Sequence, residues 1–334
     1  MADRPLAADP FTTTNGHALP RPTAPPRRHR RRGAGPLVNV ALFALTCLTT
    51  LLAGTMFAGS PTFDAYRLSR EPLAWMLSGV PFAATLLGIL VVHEFGHYFM
   101  ARARGAAVSL PYFIPAPPMI FMAGTLGAII RMRSAARDRN ALFDIAAAGP
   151  LAGLAVALPA ALLGLAWSTL VPATPGPHLV FGESLLTRAL MWLRFGAVPE
   201  GMVVFTHPMA DAAWFGFLVT ALNLLPAGQL DGGRIAYALL PREHSRLGRL
   251  TVAGLGVLGL IVAAVSYWAR PEWISLVPAV NWLVLAALVR FGLGYRHGGV
   301  LNPSEPLSPG RSALGIACFV LLVLMLPPVL IHAD

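Results

Sequence analysis

The chain has 334 residues, of which 56% are hydrophobic and only 12% charged, with a mean hydropathy of +0.64. A soluble globular domain carries about 25% charged residues, so a water-soluble chain, a disordered chain and a disulfide scaffold are all excluded as the main architecture. The formal net charge is +10, yet the 25 basic residues are all arginine, seven of them in the first 32 residues and most others in short loops between apolar runs. That is the charge placement of a membrane protein and not of a nucleic-acid-binding surface.

Residues 1–35 are rich in Pro and Arg and lack any apolar period, which predicts a disordered tail. The apolar stretch at 36–59 that follows Arg27–Arg32 exceeds the ~7–15 residues of a signal-peptide core. It therefore reads as a retained first span. Six further spans are predicted at about 73–101, 143–171, 210–231, 250–268, 273–293 and 312–332, each near the ~20 apolar residues a bilayer requires. The expected fold is an all-α polytopic membrane protein of about seven transmembrane helices. Residues 36–240 form its core and 241–334 its additional helices.

If the spans alternate, Arg102, Arg104, Arg131, Arg133, Arg137, Arg139, Arg242, Arg246, Arg249, Arg290, Arg296 and Arg311 fall on the side of the tail, and only Arg67, Arg70, Arg188, Arg194 and Arg270 oppose them. The positive-inside rule then predicts a cytoplasmic amino terminus. Residues 184–195 are apolar but short and carry two arginines, so they read as an interfacial helix. The longest connection, about 172–209, is too short for an inserted domain. Cys47 and Cys318 lie in apolar runs and read as small buried hydrophobes.

The chemistry concentrates in Val91-Val-His93-Glu94-Phe-Gly-His97 of the second span. Imidazoles four residues apart share one helix face and can grip one zinc ion, with Glu94 beside them as general base. Composition predicts on the order of 0.005 chance occurrences of this pattern. Three ionisable residues inside a membrane helix, each costing roughly 2.5–3.5 kcal/mol, also require a compensating partner. The fourth span ends Asn223-Leu-Leu-Pro226-Ala-Gly228-Gln-Leu-Asp231-Gly232-Gly233. Alone, Asp231-Gly232 reads as a turn or cap; beside the histidine pair, its carboxylate is the candidate third ligand. Pro226 and Gly228 break the helix, Gly232-Gly233 lets the backbone turn, and Asn223 is a donor suited to a substrate carbonyl or its oxyanion.

These two motifs, with Ser109–Pro118 and Ala148–Gly153 between them, resemble the site-2 protease family of intramembrane zinc metalloproteases over roughly residues 73–240. The resemblance points to the branch without an inserted PDZ domain, shared by bacterial members and plastid EGY-type proteases. It implies that His93, His97 and Asp231 bind one catalytic zinc ion, that Glu94 activates water and that Asn223 supports the site. It also favours a short re-entrant β-hairpin over a plain surface loop at 105–133. The implied function is hydrolysis of a peptide bond in or near a transmembrane segment of a membrane-protein substrate. Independently of the resemblance, residue counts along the second and fourth spans put both halves of the site toward the cytoplasmic face, here expected to be that of a bacterial inner membrane. The expected partners are that substrate and the lipid bilayer, with no nucleic acid; the sequence specifies no oligomeric state. The competing reading is a zinc-binding membrane protein that does not cut, such as a metal carrier, but helices outside the motifs carry almost no polar residues.

Other polar residues have bland readings. Gly149-x-x-x-Gly153 is expected to pack helices, Asp144 to cap one, His244 to be solvated in a loop, and Asn281 to bond between helices. His207 and Asp211 are four apart but lie at the outer edge, away from the motif face.

Overall fold

The computed structural model describes residues 35–59, 69–173, 179–295 and 299–333. The arginine-rich tail, apart from Gly35, lies outside them. The first helix, α1 (Pro36–Phe57), turns Asn39, Thr46, Thr50, Ala53, Gly54 and Thr55 inward and leaves Leu37, Val40, Leu45 and Leu48 exposed. This inverts the pattern of a soluble helix and suits a lipid surround. The buried hydroxyls are satisfied within the helix, Thr46 donating to the Leu42 carbonyl at 2.8 Å and Thr50 to the Thr46 carbonyl at 2.7 Å. Asn39 donates to the Pro111 carbonyl at 2.7 Å and so ties α1 to the chain beyond the next span.

The predicted second span is two helices, α2 (Pro72–Ser78) and α3 (Val80–Ala103), separated at Gly79. A hairpin follows, β1 (Tyr112–Pro115) antiparallel to β2 (Thr125–Ile129), with Phe113 opposite Ala128. It realises the β-hairpin expected at 105–133, and its tip exposes Met119, Ile120 and Phe121. Helix α4 (Arg139–Ala166) packs against α3. It is followed by β3 (Thr169–Pro172), β4 (Leu179–Phe181), α5 (Leu185–Phe195) and β5 (Met202–Phe205). Helix α5 occupies the predicted interfacial segment and is opened by a Ser184–Thr187 capping box.

The predicted fourth span divides into α6 (Pro208–Asn223) and α7 (Asp231–Leu239). Pro226 has no N–H to continue the ladder, and Gly228 stands at φ +52°. The last third comprises α8 (His244–Ala269), α9 (Val277–Ala287) continued by a π-turn at Leu288–Leu293, α10 (Pro309–Met325) and β6 (Ile331–Ala333). Strands β3 and β5 pair, as do β4 and β6. Among the described residues four helices, α1, α3, α4 and α8, are long and apolar enough to cross a membrane; α6, α9 and α10 are shorter.

Helices α3, α4 and α6 pack on one another, and Ile89, Phe143, Ala157, Phe217 and Leu224 belong to their common core. A second cluster of Phe82, Leu86, Phe113, Trp214 and Phe215 joins α3, the hairpin and α6. The wedge between α3 and α4 therefore holds the second-span histidines at a rigid helix–helix seam.

Three polar residues depart from expectation. Asp138, not Asp144, caps α4, accepting from the Ala141 amide at 2.8 Å. Asp144 lies a turn and a half further on, where it pairs with Arg311 of α10 at 2.7 and 2.9 Å and with Arg104 beyond the end of α3. His244 starts α8 and donates to the Pro241 carbonyl at 2.8 Å instead of standing free in a loop. Asn281 is exposed and makes no interhelical bond among the described residues. Asp144→Asn should leave two guanidinium groups facing each other without an anion. Breaking a fully buried pair costs about 3–5 kcal/mol. Arg104 and Arg311 are 40% and 29% exposed, so about 2 kcal/mol is expected, read as a lower thermal midpoint in detergent.

Candidate active site

Four residues apart on α3, His93 and His97 turn toward α4 and are 2% and 3% exposed. Their Nε2 atoms approach to 3.2 Å. Asp231, the first residue of α7 and 7% exposed, brings Oδ2 to 3.0 Å from His97 Nε2 and 3.6 Å from His93 Nε2. Residues 134 positions apart thus meet because α6 ends at Asn223 and the 224–230 segment returns the chain to α3. Gly232 permits that return, since a Cβ there would run into the Leu224 carbonyl. The Gly232-Gly233 pair therefore serves close approach within the first turn of α7, where the sequence suggested a turn.

The donor set fits a zinc ion on three observations. His97 Nδ1 lies 2.7 Å from the Ile145 carbonyl, which only accepts. Nδ1 therefore carries the proton and the Nε2 lone pair points into the cluster, the usual arrangement of a metal-ligating imidazole. That lone pair meets the Nε2 of a second imidazole and a carboxylate oxygen in a buried space, the two kinds of donor that zinc takes. Finally, ligands at about 2.0–2.1 Å from a tetrahedral ion lie about 3.3 Å from one another, the spacing seen among these three atoms. Among the described residues this is the one such group of His, Cys, Asp or Glu.

Glu94 is buried beside the cluster, and the Ile130 backbone amide at the end of β2 faces its carboxylate. Asn223, the last residue of α6, points Nδ2 at His93 Nε2 from 3.3 Å. All five residues singled out in the sequence are thus gathered in one place. By contrast, His207 and Asp211 have structural partners. The His207 Nδ1 accepts from the Met209 amide at 3.2 Å, and Asp211 accepts from the Thr206 hydroxyl at 2.6 Å.

Two features escaped the sequence reading. Gly149 and Gly153 of α4 do more than pack helices, because their bare Cα positions receive the imidazole rings. A Cβ on Gly149 would lie in the His97 ring, and one on Gly153 would come 3.2 Å from His93 Nδ1. The signal was present, since the glycines share the four-residue spacing of the histidines. The second is Arg234, whose NH1 sits 3.4 Å from Asp231 Oδ1. No pattern in the sequence singled it out.

A helix of membrane-spanning length that carries a buried pair of imidazoles and an adjacent glutamate, with a carboxylate brought beside them from a short helix, points to the class of membrane zinc peptidases. The profile of peptidase family M50 matches residues 81–265, more than half of the chain. The chain belongs to this family, that of the site-2 proteases. A protein of Oryza sativa subsp. indica named "Probable zinc metalloprotease EGY2, chloroplastic" is 37% identical over 214 residues, 62% of this chain and 36% of its own length. Its namesake in Arabidopsis thaliana is 34% identical over 234 residues, covering 68% and 40%. "Probable zinc metalloprotease EGY3, chloroplastic" of Oryza sativa is 28% identical over 323 residues, covering 88% and 48%. The chain therefore spans between a third and a half of the length of these relatives. The connection between α4 and α6 holds β3, β4, α5 and β5, and no PDZ domain is evident among the described residues.

Proposed function

We propose that the chain is an intramembrane zinc endopeptidase that hydrolyses a peptide bond in or near a transmembrane segment of a membrane-protein substrate. The observation that carries this reading is the convergence of His93 Nε2, His97 Nε2 and Asp231 Oδ2 within 4.8 Å, with Glu94 next to them on the same helix. These three residues would hold the ion. Bound zinc supplies Lewis acidity, which makes water acidic enough to deprotonate near neutral pH and polarises a carbonyl. Glu94 takes the proton from the attacking water and later delivers it to the leaving amine, as a general base and then a general acid. On this reading Asn223, whose Nδ2 lies 3.3 Å from His93 Nε2, donates to the oxygen on which charge develops. The Ile145 carbonyl keeps His97 in the tautomer that leaves Nε2 free.

A helical substrate hides its carbonyls in hydrogen bonds, so it must unwind before attack. Transmembrane segments interrupted by Gly, Pro or Asn are the preferred substrates on this reading. On this reading the membrane is a bacterial cell membrane, and the arginine asymmetry supports seven crossings with the amino terminus and the site toward its cytoplasmic face. The products would include a fragment released there. The test is cleavage of model transmembrane substrates by the purified chain in detergent or vesicles. A zinc chelator should abolish cleavage and added zinc restore it. Cleavage that survives complete metal removal would refute the proposal.

A further inference from the structure

Beside Asp231 lies an open cleft of about 380 Å³ whose lining includes Ile130, Arg131, Met132, Ser134, Gln229 and Arg234. We propose that it is a carboxylate-binding subsite in which Arg234 and Gln229 receive an acidic side chain of the polypeptide substrate. The inference rests on the peptidase reading above and names one determinant of what that site accepts.

The cleft adjoins the candidate metal site on two sides. Arg234 reaches Asp231 through NH1, and Ile130 turns its amide toward Glu94. None of the residues lining the cleft is acidic, and two are arginines. Arg234 is held on α7, where its amide bonds the Leu230 carbonyl at 3.0 Å. Its side chain is only 15% exposed, and its Nε is buried without a hydrogen-bond partner. The contact from NH1 to Asp231 Oδ1 is 3.4 Å, well beyond the ~2.7–2.9 Å of a charge-assisted bond. The other oxygen of Asp231 is directed at the imidazoles, so this carboxylate is no dedicated counter-ion. A guanidinium carries five N–H donors in a planar fork shaped for a carboxylate. Here the fork borders a cleft, its Nε is unpartnered and its ion pair to Asp231 is long, so it keeps donors for a second carboxylate. Gln229, exposed two residues before Asp231, adds a neutral amide at the same cleft. A glutamate or aspartate of a bound chain answers both, whereas an uncharged amide at that place makes bonds roughly half as strong.

The experiment uses the full-length Glu94→Gln protein, loaded with zinc in micelles so that peptides bind without turnover. The probes are fluorescent apolar peptides with a central Gly-Pro interruption. A single Glu is moved through about three positions on each side, the span an extended chain covers in about 10 Å, and each peptide has a Gln twin. At one or two positions on one side the Glu peptide is expected to bind about tenfold tighter than its twin. Arg234→Met should bring the pair within about twofold and Arg234→Lys should keep part of the preference. Equal affinities at every position in the Arg234 protein, or no binding of any Glu peptide, would overturn the subsite without requiring any Arg234 variant to fold. So would a Glu preference that persists in Arg234→Met. Cleavage by the unsubstituted chain, followed in parallel, separates the two readings. Glu preference without hydrolysis of any peptide refutes the peptidase and keeps the subsite; hydrolysis without Glu preference in binding does the reverse.

Discussion

Replacing Glu94 by glutamine is expected to lower hydrolysis by about two to four orders of magnitude, the usual contribution of a positioned general base, while the zinc content per chain stays near that of the unsubstituted protein. Glutamine has the same shape and fills the same buried space, so α3 and its packing on α4 should survive. It has no lone pair basic enough to take a proton from water and no proton to return to a leaving amine. The atoms assigned to the metal belong to His93, His97 and Asp231, and the Glu94 carboxylate is not among them. The two readouts therefore separate cleanly. Metal is counted by atomic absorption on the purified chain, and turnover is followed on a model transmembrane substrate. A Glu94→Gln protein that cleaves at the ordinary rate would remove Glu94 from the reaction. One that loses its zinc would instead make Glu94 a ligand, and the assignment of Asp231 would then need revision.

The site was more legible in the sequence than the helices that carry it. His93, Glu94 and His97 stand out because charge inside an apolar run is costly and the four-residue period fixes their common face. Asp231 stands out for the same reason, once a metal is already implied. What no local pattern shows is distance. The Ile145 carbonyl that sets the tautomer of His97 is a backbone group 48 positions away, and every residue has such a group. Asp144 looked like a cap because its partner Arg311 lies 167 positions downstream. Hydropathy counts apolar residues but not hydrogen bonds. It therefore joined α2 to α3 across Gly79 and ran α6 on through Pro226 to Asp231, although the chain leaves the helix at Asn223. That departure brings Asp231 beside the histidines, so the segment least like a span is the one on which the candidate site depends.

A graded pair of substitutions on α4 tests whether the glycines seat the ligands. Glycine to alanine inside a helix ordinarily stabilises it by roughly 0.5–1 kcal/mol, so loss of function at these positions cannot come from weakened helix propensity. At Gly149 the added methyl would occupy the His97 ring itself, with Nε2, Cδ2 and Cε1 the nearest atoms. The ring must swing away, breaking its bond to the Ile145 carbonyl and withdrawing Nε2 from Asp231. Since loss of an outer-shell partner alone costs about 10–100-fold in metal affinity, Gly149→Ala is expected to weaken zinc binding by at least about 100-fold and to abolish cleavage. At Gly153 the methyl would approach His93 Cβ and Nδ1 at 3.2 Å, a contact that a shift of a few tenths of an ångström relieves, so Gly153→Ala should weaken zinc by less than about tenfold. Gly164→Ala serves as the comparison for plain helix packing, because its methyl would run into the Ala210 backbone and push α4 from α6 at a place away from the histidines. That variant should lower the thermal midpoint with zinc affinity little changed, whereas Gly149→Ala should lower zinc affinity strongly as well as the apo-protein midpoint, since the ring is displaced within a packed interior. Competition with a calibrated chelator and melting of the metal-free chains measure the two quantities. Equal zinc affinity in Gly149→Ala and the unsubstituted chain would show that His97 does not bind the ion in the place the two helices make for it.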